Sequence, residues 1–337
     1  ASCVSLDGQW QFELFSRPED VPENWPEQTQ KLSTIVVPGH WQLQGFDRPI
    51  YTNVQYPFPC DPPRVPEQNS TGCYLRSFSL DEDWLASQQL RGIFDGVDSA
   101  FYLWCNDVWV GYSQDSRLPA EFDLTDHLRA GANTLKLVVL RYCDGSYLED
   151  QDMWNLSGIY RSVTLLRKPQ ARITDLRVTA SLDDRYEDGM LNVRVTTEGA
   201  RDCQIVLGLF DTTDLSRSVI RDPPGNVATR QIDEGGGYAN RCEVTQHIAS
   251  PRAWSAEQPA LYRLTVSLLS ADGQVIEVEA CDVGFRTVEI IEGQLCLNGQ
   301  PVLIRGVNKH EHDPCTGHFE HIADVERDLR LMKQHNF

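Results

Sequence analysis

The stretch Thr134-Leu135-Lys136-Leu137-Val138-Val139-Leu140-Arg141-Tyr142 is a short apolar run rich in Val and Leu, the texture of a β-strand. It leads straight into the densest polar cluster of the chain, Asp144-Gly145-Ser146-Tyr147-Leu148-Glu149-Asp150-Gln151-Asp152-Met153-Trp154. Outward from it the same texture recurs at Ser33–Val37, Gly92–Phe94, Ala100–Trp104 and Arg161–Leu166, broken by Gly, Pro, Asn and Asp at the spacing of all-β folds. The Pro-rich segment Tyr56-Pro57-Phe58-Pro59-Cys60-Asp61-Pro62-Pro63 reads as an extended surface loop, because its missing N–H donors and fixed φ angles exclude a central strand.

A second set of alternating runs follows Lys168-Pro169: Ile173–Thr179, Leu191–Thr197, Gln204–Leu209, Leu261–Leu269 and Val275–Cys281. Short strands at this density read as an immunoglobulin-like sandwich, with turns at Asp222-Pro223-Pro224-Gly225 and Gly235-Gly236-Gly237. After Gly284 the pattern changes again. Gln294–Leu297, Asn298-Gly299 and Pro301–Arg305 read as a hairpin, since Asn-Gly tolerates the two positive φ values of a type I′ turn. Ile322, Val325, Leu329 and Met332 then fall on one face of a helix. A strand followed by a helix reads as the opening of a β/α domain, and the expectation is a fragment of a longer protein.

The 337 residues correspond to two domains and a remainder. With 30 Lys and Arg against 49 Asp and Glu, the net charge is −19, and a surface this acidic would repel a phosphate backbone. Nucleic acid is therefore excluded as a partner. No apolar run long enough to span a bilayer occurs, and the start at Ala1–Asp7 lacks the regions of a signal peptide, so no membrane partner is expected. Ten cysteines without a CxxC pair show neither zinc spacing nor a compact disulfide framework. Free thiols in a cytoplasm are the expectation, and the sequons at Asn69 and Asn155 are discounted as chance matches.

Three features carry candidate chemistry. The acids of Asp144–Trp154 could hold a hard cation or grip sugar hydroxyls while Trp154 or Tyr147 stacks on a ring, or they form a solvated loop. His310-Glu311-His312-Asp313 spaces its imidazoles two apart, which disfavours a zincin. It is either a polar constellation at the end of a first barrel strand, where such folds keep their sites, or a structural loop. Asn53 suits hydroxyl recognition and equally suits a turn. No phosphate loop, GxSxG elbow or nucleotide fingerprint is present.

Six blocks together, Pro38–Gln42, Tyr51–Val54, Phe94–Val97, Gly111–Pro119, Asp144–Trp154 and Arg305–His312, with Gly284-Phe285-Arg286, closely resemble bacterial beta-galactosidases of glycoside hydrolase family 2. The resemblance implies a jelly-roll sugar-binding domain at 1–168, an immunoglobulin-like β-sandwich at 169–286 and the truncated start of a catalytic (β/α)8 barrel at 287–337. It also implies retaining hydrolysis of terminal β-D-galactosides such as lactose, using two glutamates that lie on later barrel strands and match no position here. The chain alone is accordingly expected to be inactive. By the same resemblance Asn53 and Asp152 contact galactosyl hydroxyls, and Asp152 also holds a sodium ion. His310 supports the transition state, and Gln114 and Asp144 belong to a peripheral magnesium site. The full-length enzyme would be a homo-oligomer, a tetramer in the family. Beta-glucuronidase or beta-mannosidase of the same family and a non-catalytic carbohydrate-binding module are the competing readings, and the Asp144–Trp154 block favours galactosidase.

Overall fold

In this computed structural model residues 3–25, 32–86, 88–219, 230–232 and 239–337 are described, and the turns read at Asp222–Gly225 and Gly235–Gly237 lie outside them. The chain divides into two compact units, Ala1–Lys168 with Arg305–Phe337, and Pro169–Ile304.

In the first unit the opening run lies within Gly131–Leu140. Leu135, Leu137 and Val139 point inward with no exposed surface while alternate residues face out, as the period of two along a strand dictates. This strand pairs antiparallel with Thr71–Leu80 on one side and Ala100–Cys105 on the other. The six-stranded sheet runs in the order Ser33–Val37, Gly8–Phe15, Thr71–Leu80, Gly131–Leu140, Ala100–Cys105, Val108–Gln114. A four-stranded sheet of Cys3–Ser5, Val163–Pro169, Gln88–Phe94 and Ala120–Asp123 completes the sandwich. One core joins the two, with Trp10, Phe12, Leu103 and Leu137 from the first sheet packed among Leu90, Phe94, Val163 and Leu165 from the second. Trp10 is fully buried, meets Tyr74 edge-on and donates its indole N–H to the Leu6 carbonyl at 2.9 Å. Trp10 thus leaves no orphan donor, whereas the equally buried Trp41 keeps its indole N–H unpaired.

The second unit is a sandwich of two four-stranded antiparallel sheets. One holds Arg172–Leu182, Gly189–Glu198, Ala239–Ile248 and Arg230–Ile232; the other holds Asp214–Ser218, Gln204–Asp211, Tyr262–Leu269 and Val275–Val283. Leu191, Val193, Val195, Leu264 and Val266 fill the space between them. Val288–Ile291, Gln294–Leu297 and Gln300–Pro301 form a small meander in the same unit. Asn298 and Gly299 both adopt positive φ, 51° and 72°, the I′ geometry expected. A Cβ at Gly299 would collide with the Tyr186 ring. Residues 287–304, read from the sequence as part of a third domain, cluster with this unit, whereas Arg305–Phe337 cluster with the first. The Thr287 hydroxyl and the Leu182 backbone exchange hydrogen bonds, and the Tyr186 hydroxyl donates to Glu289, tying the meander to the sandwich.

One local expectation is corrected. Beyond Pro301 the strand expected through Arg305 is irregular and exposed, because a barrel strand draws its hydrogen bonds from neighbouring strands and no described strand pairs with it. The helix forms as read, as α1 (Ile322–Gln334); none of its residues is buried, and Ile322 and Leu329 are 78% and 59% exposed.

Trp10→Ala removes a fully buried indole from the sandwich core and is expected to cost about 3–5 kcal/mol. A lowered urea midpoint at unchanged slope checks this.

Candidate functional site

The site is built at one end of the strand Gly131–Leu140. The buried Asn69 side chain accepts the Tyr142 N–H and donates to the Tyr142 carbonyl, both at 2.9 Å. An amide so engaged is closed to a glycan, which gives the discounted sequon a structural reason. Beside it Arg141 pairs with Asp47 at 2.6 Å and donates to the Arg48 carbonyl at 3.2 Å. The acidic cluster therefore leaves a fixed point.

Within the cluster the side chains have separate tasks. Tyr147 is an internal anchor: its hydroxyl donates to the Arg64 carbonyl at 2.6 Å and accepts the Asp61 N–H at 3.1 Å, tying the Pro-rich loop down. Glu149 accepts the N–H and hydroxyl of Ser116 at 2.8 and 2.6 Å. Asp144 accepts the Gly145 N–H at 2.9 Å. Asp152 accepts the Tyr51 hydroxyl at 2.6 Å, which raises the Tyr51 phenol above its ordinary range. The chain then returns as Trp154-Asn155, paired antiparallel with Ile50-Tyr51.

A cavity of about 340 Å³ opens here, lined by Tyr51, Arg117, Asp152, Trp154, Tyr160 and Arg161 of the sandwich and by His310, Glu311, His312 and His318. Trp154 and Tyr51 remain 43% and 50% exposed with ring centroids 5.6 Å apart. That is an apolar platform beside a carboxylate and imidazoles, in a volume typical of small-molecule sites. The structure thus brings Asp152 and His310 together and seats Trp154 with them. Asn53 lies in the exposed bend two residues past Tyr51 and is not among the lining residues. Tyr147 is not a lining residue either.

Arg117, Tyr160, Arg161 and His318 were missed from the sequence. They arrive from distant segments, and only the signature Gly111–Pro119 drew attention to one of them. Tyr160 is 1% exposed, donates its hydroxyl to the Ser116 carbonyl at 2.5 Å, and lies within 5.8 and 5.1 Å of the Arg117 and Arg161 guanidinium carbons. Arg117 also faces Asp98 at 3.6 Å. Burial pushes the Asp98 carboxyl up to about 7, against the pull of Arg117 and with a further push from Glu149.

Gln114 lies close to residues 143–145, with its amide nitrogen 3.7 Å from where a Gly145 Cβ would stand. The Gln114 side-chain oxygen accepts the Tyr112 hydroxyl at 2.7 Å. Gln114 and Asp144 offer two oxygen donors, of the kind magnesium favours, and Asp152 offers one for sodium. No group of three or more His, Cys, Asp or Glu is arranged to hold a metal among the described residues.

Residues 3–169 match "Glycosyl hydrolases family 2, sugar binding domain", residues 171–286 match "Glycosyl hydrolases family 2", and residues 288–337 match "Glycosyl hydrolases family 2, TIM barrel domain". The chain belongs to glycosyl hydrolase family 2. It is 55% identical to a beta-galactosidase of Aeromonas hydrophila over its whole length, which is 33% of that protein. It is 52% identical to one of Enterobacter cloacae, with 99% of this chain and 32% of that protein covered. The chain thus spans about a third of the length of the curated relatives it matches. Among solved structures, a Bifidobacterium dentium beta-glucuronidase aligns over 98% of this chain and 55% of its own, with a TM-score of 0.79 at 20% identity, a likeness of fold.

Asp98, partly buried beside Arg117, titrates differently in the folded and unfolded chain. The folded chain keeps this proton up to about pH 7, whereas an unfolded carboxyl releases it near pH 4. Stability from this group is present at low pH and is lost as the pH rises through 7. Asp98→Asn should make the fall in unfolding free energy between pH 5 and 7.5 smaller by about 2 kcal/mol, read from urea denaturation at the two pH values.

Proposed function

We propose that this chain supplies the sugar-facing wall of a beta-galactosidase, acting by retaining hydrolysis on terminal β-D-galactosides such as lactose. The observation that carries the reading is the convergence in one cavity of the Trp154 and Tyr51 rings, the Asp152 carboxylate and the His310 imidazole. A pyranose presents an apolar face and a ring of hydroxyls, and this lining offers a surface for each. Trp154 and Tyr51 take the sugar face. Asp152, with one oxygen occupied by Tyr51, holds a hydroxyl with the other, and His310 donates to or accepts from a hydroxyl as the transition state forms. Asn53, in the bend beside Tyr51 and outside the cavity lining, is assigned a sugar hydroxyl by the family resemblance alone.

The two catalytic carboxylates of a retaining pair, about 5–5.5 Å apart in such enzymes, are assigned by this reading to barrel strands other than those of the present 337 residues. Sodium at Asp152, and magnesium held in part by Gln114 and Asp144, would supply positive charge that fixes the sugar and the loop when bound. The ten free thiols fit a reducing cytoplasm, and the whole enzyme is read as a homo-oligomer, a tetramer as in the family. No helix among the described residues is long and apolar enough to cross a membrane.

A chromogenic β-galactoside separates this from the carbohydrate-module reading. The 337-residue chain is expected to show no turnover, and a longer chain running through a complete barrel is expected to hydrolyse it. In that longer enzyme Asp152→Ala should lower kcat/KM by on the order of a hundredfold, the worth of a charged hydrogen bond. Turnover unaffected by the substitution would remove Asp152 from the site.

A further inference from the structure

Four histidines run from the cavity into the interior of the first unit. His310 and His312 line the cavity, His318 closes one side of it, and His40 lies behind at 1% exposure. The His40 ring stacks on Tyr160 at 5.3 Å and 10°. His318 meets His40 edge-on at 5.0 Å and Tyr160 at 5.9 Å, and His312 meets His318 at 5.7 Å.

The polar contacts of His40 select one protonation state. Its Nδ1 lies 3.3 Å from the Ser157 carbonyl, which can only accept, so Nδ1 carries the proton. Its Nε2 lies 3.2 Å from the backbone N–H of His318, which can only donate, so Nε2 must be bare. Neutral imidazole fits both partners, and imidazolium loses the second.

The segment held at that point is compact. Asp313 and Gly317 exchange backbone hydrogen bonds at 2.8 and 2.9 Å, and the Asp313 carboxylate accepts the N–H groups of Cys315 and Thr316 at 2.7 and 2.9 Å. Gly317 is buried at φ +71°, and a Cβ there would stand 2.7 Å from both the His40 ring and Leu156. Only glycine lets the turn seat so closely on His40.

We propose that His40 is a positioning residue, the clamp against which the 313–318 turn closes and through which His310 and His312 are held at the cavity, and that protonation opens this clamp. The significance for sugar binding rests on the function proposed above; the clamp itself does not. Burial, then His318, pushes the His40 imidazole down to about 3, and burial, then Arg117 and His312, pushes His318 down to about 4. The other charged groups at this place are Arg161 and His310 toward His318, Asp98 paired with Arg117, and Asp152 and Glu311 in the cavity lining. In an open segment each histidine would titrate near 6.5. Closure is thus complete above that value and is lost progressively as the pH falls toward 4.

Hydrogen exchange of the full chain, read by mass spectrometry on peptides covering 311–320 and corrected for intrinsic rates, tests the clamp. At pH 5 the open population should exceed that at pH 7 by roughly twenty- to thirtyfold from His40 alone. His40→Gln keeps a donor and an acceptor but does not titrate; it should stay protected at pH 7 and lose the His40 part of this dependence. His318→Gln, which keeps the backbone N–H, should lose the other part and serves if the first variant does not fold. Protection equal at the two pH values in the wild type, or an unchanged dependence in both variants, would overturn the proposal. If the clamp behaves as stated while a full-barrel enzyme ignores galactosides, the sugar reading falls and the clamp stands.

Discussion

The Tyr160 ring is the constraint on which the site depends. Its hydroxyl is spent on the Ser116 carbonyl, which fixes the start of the segment carrying Arg117. Its ring is packed by His40, by the edge of His318 and by two guanidinium groups. A phenol can do this because it joins a flat apolar body to one polar tip. Segments more than a hundred residues apart in sequence are thereby placed around one cavity.

The strands were legible because the sheets are antiparallel with one buried face, and such strands write their burial into an alternation of two. Gly131–Leu140 and Tyr262–Leu269 show it most clearly. The hairpin at Asn298-Gly299 was legible because its turn needs two positive φ values that few dipeptides accept. The strand expected over Pro301–Arg305 was not, since apolar content alone does not supply the partner that a strand requires.

Of the site, Asp152, Trp154 and His310 stood out in dense local clusters, and the cavity collects all three. Arg117, Tyr160 and His318 carry no local signature, because their roles exist only through neighbours from other strands. Tyr147 shows the opposite failure. It sits in the right cluster with the right chemistry, yet its hydroxyl is consumed by backbone groups of the Pro-rich loop.

That last arrangement bears on how such a surface can evolve. Tyr147 grips the main chain at Asp61 and Arg64 and not their side chains, so the loop's path is held by its own prolines and by this backbone grip together. The side chains of Cys60, Asp61 and Arg64 are therefore comparatively free to drift while the prolines and Tyr147 keep the path. Loss of the Tyr147 hydroxyl, by contrast, would release both backbone contacts at once.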